Sequence, residues 1–151
     1  MRFVAIMLAM FAFAAAPATE RGVRFTTVDV RIDPKGQPLA AYQVEFVADE
    51  SVKLVGIEGG EHAAFKIPPY YDPAALSNHR VIIAAFNTSG DLPKSETRVA
   101  RLHVQISGGG NVEQTPDWTV KLMVASSADG KAIAGATAKA VEGKLAEGAG
   151  Q

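Results

Sequence analysis

Any chemistry in this chain would come from histidine, carboxylate, hydroxyl or aromatic side chains, because its 151 residues include no cysteine. Thiol nucleophiles and cysteine metal sites are thereby excluded. His62, His79 and His103 stand 17 and 24 residues apart, which is no local metal-ligand spacing, so a zinc site would require them to converge in three dimensions. His103 falls on the outward side of an alternating segment and reads as a solvated strand histidine; no metal or cofactor is expected. Glu58, Glu61 and Asp72 are the candidates for paired carboxylates. Glycoside hydrolysis needs two carboxyls held about 5 to 10 Å apart across the bond, and a loop supplies no such frame. Ser77 beside His79 lacks the glycine framing of a nucleophile elbow. The glycines of "SGGGN" (107–111) are not followed by the lysine or serine of a phosphate loop. The expectation is a non-catalytic protein.

Aromatic residues are better placed for binding. Tyr70 and Tyr71 follow Pro68 and Pro69, which stiffen the chain, and a stiff exposed tyrosine loses little conformational entropy on contact. Trp118 opens an apolar segment after "QTPD". These three are the candidate partner-binding residues, for a protein or a polysaccharide. The alternative is structural: one tyrosine ring caps the end of the fold, and Trp118 anchors the edge of the core.

The elements that would position them follow a period of two rather than 3.6. "VRFTTVDVRI" (23–32) puts Val28, Val30 and Ile32 on one face and Asp29 and Arg31 on the other. "DPKGQP" is a turn, and "LAAYQVEFVA" (39–48) alternates again, so these two strands are expected to pair. "SVKLVGIE" (51–58) places Val52, Leu54 and Gly56 against Lys53, Val55 and Ile57. The nearly continuous apolar run "RVIIAAF" (80–86) suggests a central strand. "TRVARLHVQI" (97–106) turns Leu102, Val104 and Ile106 inward. "WTVKLMVA" (118–125) and "KAIAGATAKAV" (131–141) flank Asp129-Gly130, a tight-turn signal for a hairpin; the alanine-rich second segment is alternatively a helix. Strands this short and this regularly spaced, without long helices between them, argue for an all-β antiparallel sandwich. At most one short helix is expected, at "DPAALSN" (72–78), with Asp72 as its cap and Pro73 at its first position.

Within this frame "EGGEHAAFKIPPYYDP" (58–73) divides into a strand end at Glu58-Gly59-Gly60, a short apolar stretch from Ala63 to Ile67 that tucks against the core, a stiff bend, and a helical turn. Only Tyr70 and Tyr71 are left without a structural duty.

The first segment, "MRFVAIMLAMFAFAAAPATE", has one charge at Arg2 and an apolar or small run from Phe3 to Ala16, the layout of a secretory signal peptide and short for a membrane span. Alanines at 16 and 18 fit cleavage after Ala18, giving a signal peptide of residues 1–18, a domain of 19–143 and a tail of 144–151. The protein is expected to be exported, periplasmic or extracellular, and to meet the membrane only in transit. Removing residues 1–18 leaves 14 basic against 16 acidic side chains, a net charge of −2. With both signs interspersed, the chain offers nucleic acid no basic footprint. Without disulfides, stability has to come from the core.

The strand sequence "VDVRIDPKGQPLAAYQVEFVADESVKLVGIEGG", followed by "RVIIAAFNTSGDLPKSETRVARLHVQISG", resembles the cohesin-like domains, a group of jelly-roll carbohydrate- and scaffold-binding modules. The likeness spans about residues 26–127 and rests on strand patterning and a few glycines. It implies a jelly-roll β-sandwich and a binding or assembly role with a protein, or alternatively a polysaccharide, of the envelope or secreted fraction. It transfers no individual binding residue, because the face cohesins use has no short motif to match. The connection from Glu61 to Asn78 is longer than that pattern requires.

Overall fold

Alternation of apolar and polar side chains produces six strands at nearly the bounds the pattern sets, while the last begins at Thr137 rather than Lys131. The computed structural model describes residues 22–88, 90–108 and 116–143. Its seven strands are β1 (Val23–Asp33), β2 (Ala41–Ala48), β3 (Val52–Gly59), β4 (Arg80–Phe86), β5 (Thr97–Ser107), β6 (Trp118–Ser126) and β7 (Thr137–Gly143). They form two antiparallel sheets, a four-stranded one in the order β3-β5-β1-β7 and a three-stranded one in the order β4-β2-β6. The sheets pack face to face as an antiparallel β-sandwich. Between them lie Val28, Val30, Ile32, Tyr42, Val44, Phe46, Leu54, Ile83, Leu102 and Val104, all essentially without solvent contact. Each large aliphatic or aromatic side chain so buried contributes roughly 1.5 to 3 kcal/mol of transfer free energy.

Several neighbour relations differ from those the sequence suggests. β1 and β2 do not pair; they lie in different sheets. Lys35 (φ 53°) and Gly36 (φ 84°) both take left-handed conformations, and Asp33 accepts a hydrogen bond from the Lys35 N–H at 2.9 Å. Gly36 and Leu39 donate to the carbonyls of Lys94 and Pro93 at 2.9 Å, which carries the chain across the sandwich instead of back along β1. The Asp129-Gly130 turn forms, with Gly130 at φ 80°, but its hairpin stops at one bridge, Ser126 to Ala132. β7 then joins β1 in the other sheet. The alanine-rich segment is a strand rather than a helix, with Ala136, Ala138 and Ala140 turned toward the core.

Within β3, an irregularity between Leu54 and Gly56 turns Ile57 inward with Val52 and Leu54 and leaves Val55 exposed. β4 is an edge strand, not a central one. Its free edge carries one short pairing: Tyr70 and Ala84 exchange backbone hydrogen bonds of 2.8 and 3.0 Å, while Arg80 and Phe86 at its two ends stay exposed. The expected turn at Asp72 is a single turn of 3-10 helix, Pro73–Ala75, with the Asp72 carboxylate accepting from the Ala74 N–H at 2.9 Å. A second 3-10 turn, Ala63–Phe65, is capped by His62. No helix among the described residues is long and apolar enough to cross a membrane. The signal peptide, residues 1–18, and the tail, residues 144–151, lie outside the described residues.

Candidate functional site

The segment from Glu58 to Pro73 connects β3 to β4, and most of its unusual residues do structural work. Gly59 and Gly60 sit where the backbone folds against itself. A Cβ on Gly59 would lie 2.0 Å from the Lys66 carbonyl oxygen, and one on Gly60 would lie 2.4 Å from that of Arg98. Close approach, not a left-handed turn, requires glycine here. Glu61 accepts from the Arg98 N–H and from the Arg31 guanidinium, each at 2.8 Å. The Arg98 N–H is the chief reason its carboxyl is held below the usual range, with Arg31 adding to the effect. His62 accepts from the Ala64 N–H through Nδ1 at 3.2 Å. Phe65 enters the core edge-on to Tyr42, ring centroids 5.2 Å apart. Ile67, expected to tuck inward with it, stands 81% exposed, because the backbone of Lys66 and Ile67 is pressed against Gly59.

The carboxylates weighed for hydrolysis are each engaged. Glu58 meets His103 Nε2 at 2.8 Å, Glu61 pairs with Arg31, and Asp72 caps its turn. His79 is half-buried, and its carbonyl accepts from the Ala48 N–H at 2.9 Å. Among the described residues no three of His, Asp and Glu gather into a cluster that could hold a metal ion.

The two outer sheet faces differ in kind. On the four-stranded sheet, Asp29 receives both donors of Arg101, at 2.7 and 3.0 Å, with Arg98 3.8 Å away. Burial alone would raise the Asp29 carboxyl, but the Arg101 hydrogen bond and the surrounding guanidinium charges outweigh it and hold the carboxyl low. Arg31 bridges Glu61 and Glu96, and Lys139 reaches Glu96 at 2.6 Å. Ions on this face therefore neutralise one another.

The three-stranded sheet turns a mixed face outward. On β2 the outward positions are Gln43, Glu45 and Val47; on β4, Arg80, Ile82, Ala84 and Phe86; on β6, Thr119, Lys121 and, at a register irregularity, both Met123 and Val124. Its ion pair is Arg80 with Glu45, at 2.7 Å from the guanidinium Nε. At one corner Tyr70 stacks on Phe86, ring centroids 6.4 Å apart and planes 13° off parallel. These rings are 72% and 68% exposed.

Of the three aromatic candidates, the structure presents one. Tyr70 points outward because its rung with Ala84 puts both side chains on the outer side. Tyr71, next in an extended chain, turns inward and packs against the core. Trp118 is half-buried at the core edge, opposite Ala48 on β2. Phe86 was not among the candidates, since it ends an apolar run that reads as core throughout. The signal that would have found it is parity: Val81 and Ile83 face inward, so Phe86 cannot.

Comparisons with protein-family models, with curated proteins and with solved structures find no match to this chain.

Proposed function

We propose that the protein is an exported, non-catalytic recognition module that binds another protein through the outer face of its three-stranded sheet. The observation that carries this reading is the composition of that face. It sets aliphatic side chains, a single ion pair and a lysine beside one exposed aromatic pair. Protein interfaces use such mixtures, with aromatic anchors among aliphatic and polar contacts. A sugar platform would favour a flat row of aromatics, and here the two rings stack on each other at a corner. The resemblance to cohesin-like modules points the same way, toward assembly by a β-sandwich face.

The test compares two baits against envelope and secreted fractions: the purified protein and a variant carrying Tyr70→Ser with Phe86→Ser. Loss of anchors of this type costs 2 kcal/mol or more in well-packed interfaces, so a specific partner should be retained about thirtyfold less by the variant. Equal capture by both baits would overturn the assignment to this face. A glycan-array signal abolished by Tyr70→Ala with Tyr71→Ala would transfer the function to carbohydrate binding. Export carries its own check. The mass of the protein recovered outside the cytoplasm should correspond to a chain beginning at Thr19, which leaves every described strand intact; recovery of the full-length chain from the cytoplasm alone would refute it.

A further inference from the structure

The outer face of the three-stranded sheet carries a second feature besides its aromatic corner. Tyr70 bridges to Ala84, Ala84 pairs with Gln43, and Gln43 pairs with Val124, so one rung crosses the whole face from Tyr70 to β6. At the far end of that rung the ladder shifts register. Gln43 lies opposite Val124 and Val44 opposite Leu122, which leaves Met123 without a partner strand residue. An extra residue of this kind is a β-bulge, and bulges re-aim side chains. Met123 and Val124 consequently stand outward together, 44% and 43% exposed, beside the half-buried Gln43. The rung therefore ends in apolar groups on both sides, Tyr70 with Phe86 on one and Met123 with Val124 on the other, about 14 Å apart across three strand spacings.

Met123 is also chemically singular. The chain has no cysteine, and its other methionines, Met1, Met7 and Met10, all lie in the segment expected to be removed on export. The mature protein thus carries a single sulfur atom, at an exposed position on the recognition face. Gln43 Nε2 lies 3.8 Å from Met123 Sδ, a weak contact because a thioether is a poor acceptor. Met123 takes no place in the ladder register and its side chain stands outside the core. A change of polarity there leaves the packing between the sheets untouched. In a core, oxidation of methionine is a lesion; at this bulge it alters the surface alone.

We propose that Met123 is a sulfoxidation site that switches the recognition face, with hydrogen peroxide or another hydroperoxide as oxidant. The inference rests on the reading of that face as a protein-binding surface. The sulfur lone pair attacks one peroxide oxygen, and an S–O bond forms as the O–O bond breaks. The departing oxygen takes up the proton released from the transferred one and leaves as water. Sulfur loses two electrons and the peroxide gains them. An apolar anchor thereby becomes a strong hydrogen-bond acceptor, and the Gln43 amide is the donor beside it. A partner that packs apolar surface on Met123 must then bury a sulfoxide and forgo Gln43. Because both ends belong to one rung, a partner anchored by Tyr70 and Phe86 meets the change directly. Reduction by a methionine sulfoxide reductase reverses it.

The test treats the purified mature protein with hydrogen peroxide and follows it by mass spectrometry. It should gain the mass of one oxygen, on the peptide that contains Met123, at a rate within about threefold of the urea-unfolded chain, since exposure governs reactivity. Tm should stay within about 3 °C of the untreated protein, as a surface change requires. As bait against envelope and secreted fractions, the oxidised protein should retain the partner about tenfold less than the reduced protein, the consequence of burying an unmatched polar group. Treatment with the reductase should restore capture. Met123→Leu should capture the partner equally before and after peroxide. Oxidation more than about tenfold slower in the folded than in the unfolded chain overturns the switch, as does a larger fall in Tm. Equal capture by oxidised and reduced baits, or a peroxide effect that persists in Met123→Leu, overturns it while leaving the binding face in place. A reduced bait that captures nothing, or whose partner is indifferent to Tyr70→Ser with Phe86→Ser, refutes the reading of the face itself and takes the switch with it.

Discussion

Tyr42→Phe tests a side-chain hydrogen bond that ties the two sheets together inside the core. Tyr42 belongs to β2 and is 2% exposed; its hydroxyl donates to the Val99 carbonyl on β5 at 3.1 Å. Val99 falls at an irregularity in the β1–β5 ladder, between the pairs Val30–Ala100 and Arg31–Arg98, and has no partner in that register. Phenylalanine keeps the ring and its edge-on contact with Phe65 and opens no cavity, so the measured loss isolates the hydroxyl. The bond itself contributes about 1 kcal/mol, and leaving a buried carbonyl unsatisfied brings the cost to about 1 to 3 kcal/mol. For a domain of this size, 1 kcal/mol shifts Tm by about 3 to 6 °C, so Tyr42→Phe should melt about 5 to 10 °C lower by calorimetry at pH 7. Desolvation raises the phenol well above its ordinary pKa, so the hydroxyl stays protonated and the deficit should be the same at pH 6 and pH 9. A Tm within about 1 °C of wild type, or a deficit that vanishes at pH 9, would refute the reasoning.

Two further perturbations probe the frame around the candidate site. Asp29, Glu61 and Glu96 all have carboxyls held below their ordinary pKa by neighbouring donors and cations. In the folded state they therefore release protons at lower pH than in the unfolded state, near pH 4. Their stabilisation is complete above the unfolded value and drains away as pH falls through the folded values. Urea midpoints should be level from about pH 7 to 5 and drop below pH 4, with a shallower drop in Asp29→Asn; a midpoint that rises on acidification contradicts this. Asp29→Asn should itself cost about 1 to 3 kcal/mol at pH 7, because Arg101 and Arg98 lose their shared carboxylate. Gly59→Ala forces a methyl group into the Lys66 backbone and should cost about 3 kcal/mol by urea titration. Gly108→Ala, with nothing within 4 Å of the added Cβ, should stay within about 0.5 kcal/mol; equal effects would mean that close approach is not what Gly59 provides.

The strands were legible and their neighbours were not, for a single physical reason. Alternation records which face of a segment is buried, and β2 shows it residue by residue, as do β1 from Val28 and β5 from Ala100 onward. It says nothing about which strand supplies the next ladder. The seven residues between β1 and β2 therefore read as a hairpin turn, whereas bonds from Gly36 and Leu39 to Lys94 and Pro93 send the chain to the opposite sheet. The same blindness affected β4. Its six apolar residues after Arg80 read as a strand closed on both faces, whereas Val81 and Ile83 are buried, Ile82 and Ala84 are half-buried on the outer face and Phe86 is exposed.

The candidate site shows what a period-two reading can recover once a single anchor is fixed. Tyr70 and Tyr71 are adjacent, so an extended chain must send them to opposite sides, and the pair could never have acted together as one platform. Which one faced outward depended on the rung to Ala84, a tertiary pairing that no local pattern encodes. Given that rung, Phe86 follows at once, because it shares its parity with Ala84. Ala136, Ala138 and Ala140 announce a strand with small inward residues, and Lys121 announces a charge on the outer face of β6. The aromatic corner became informative only when tied to the hydrogen bonds that the neighbouring strands make.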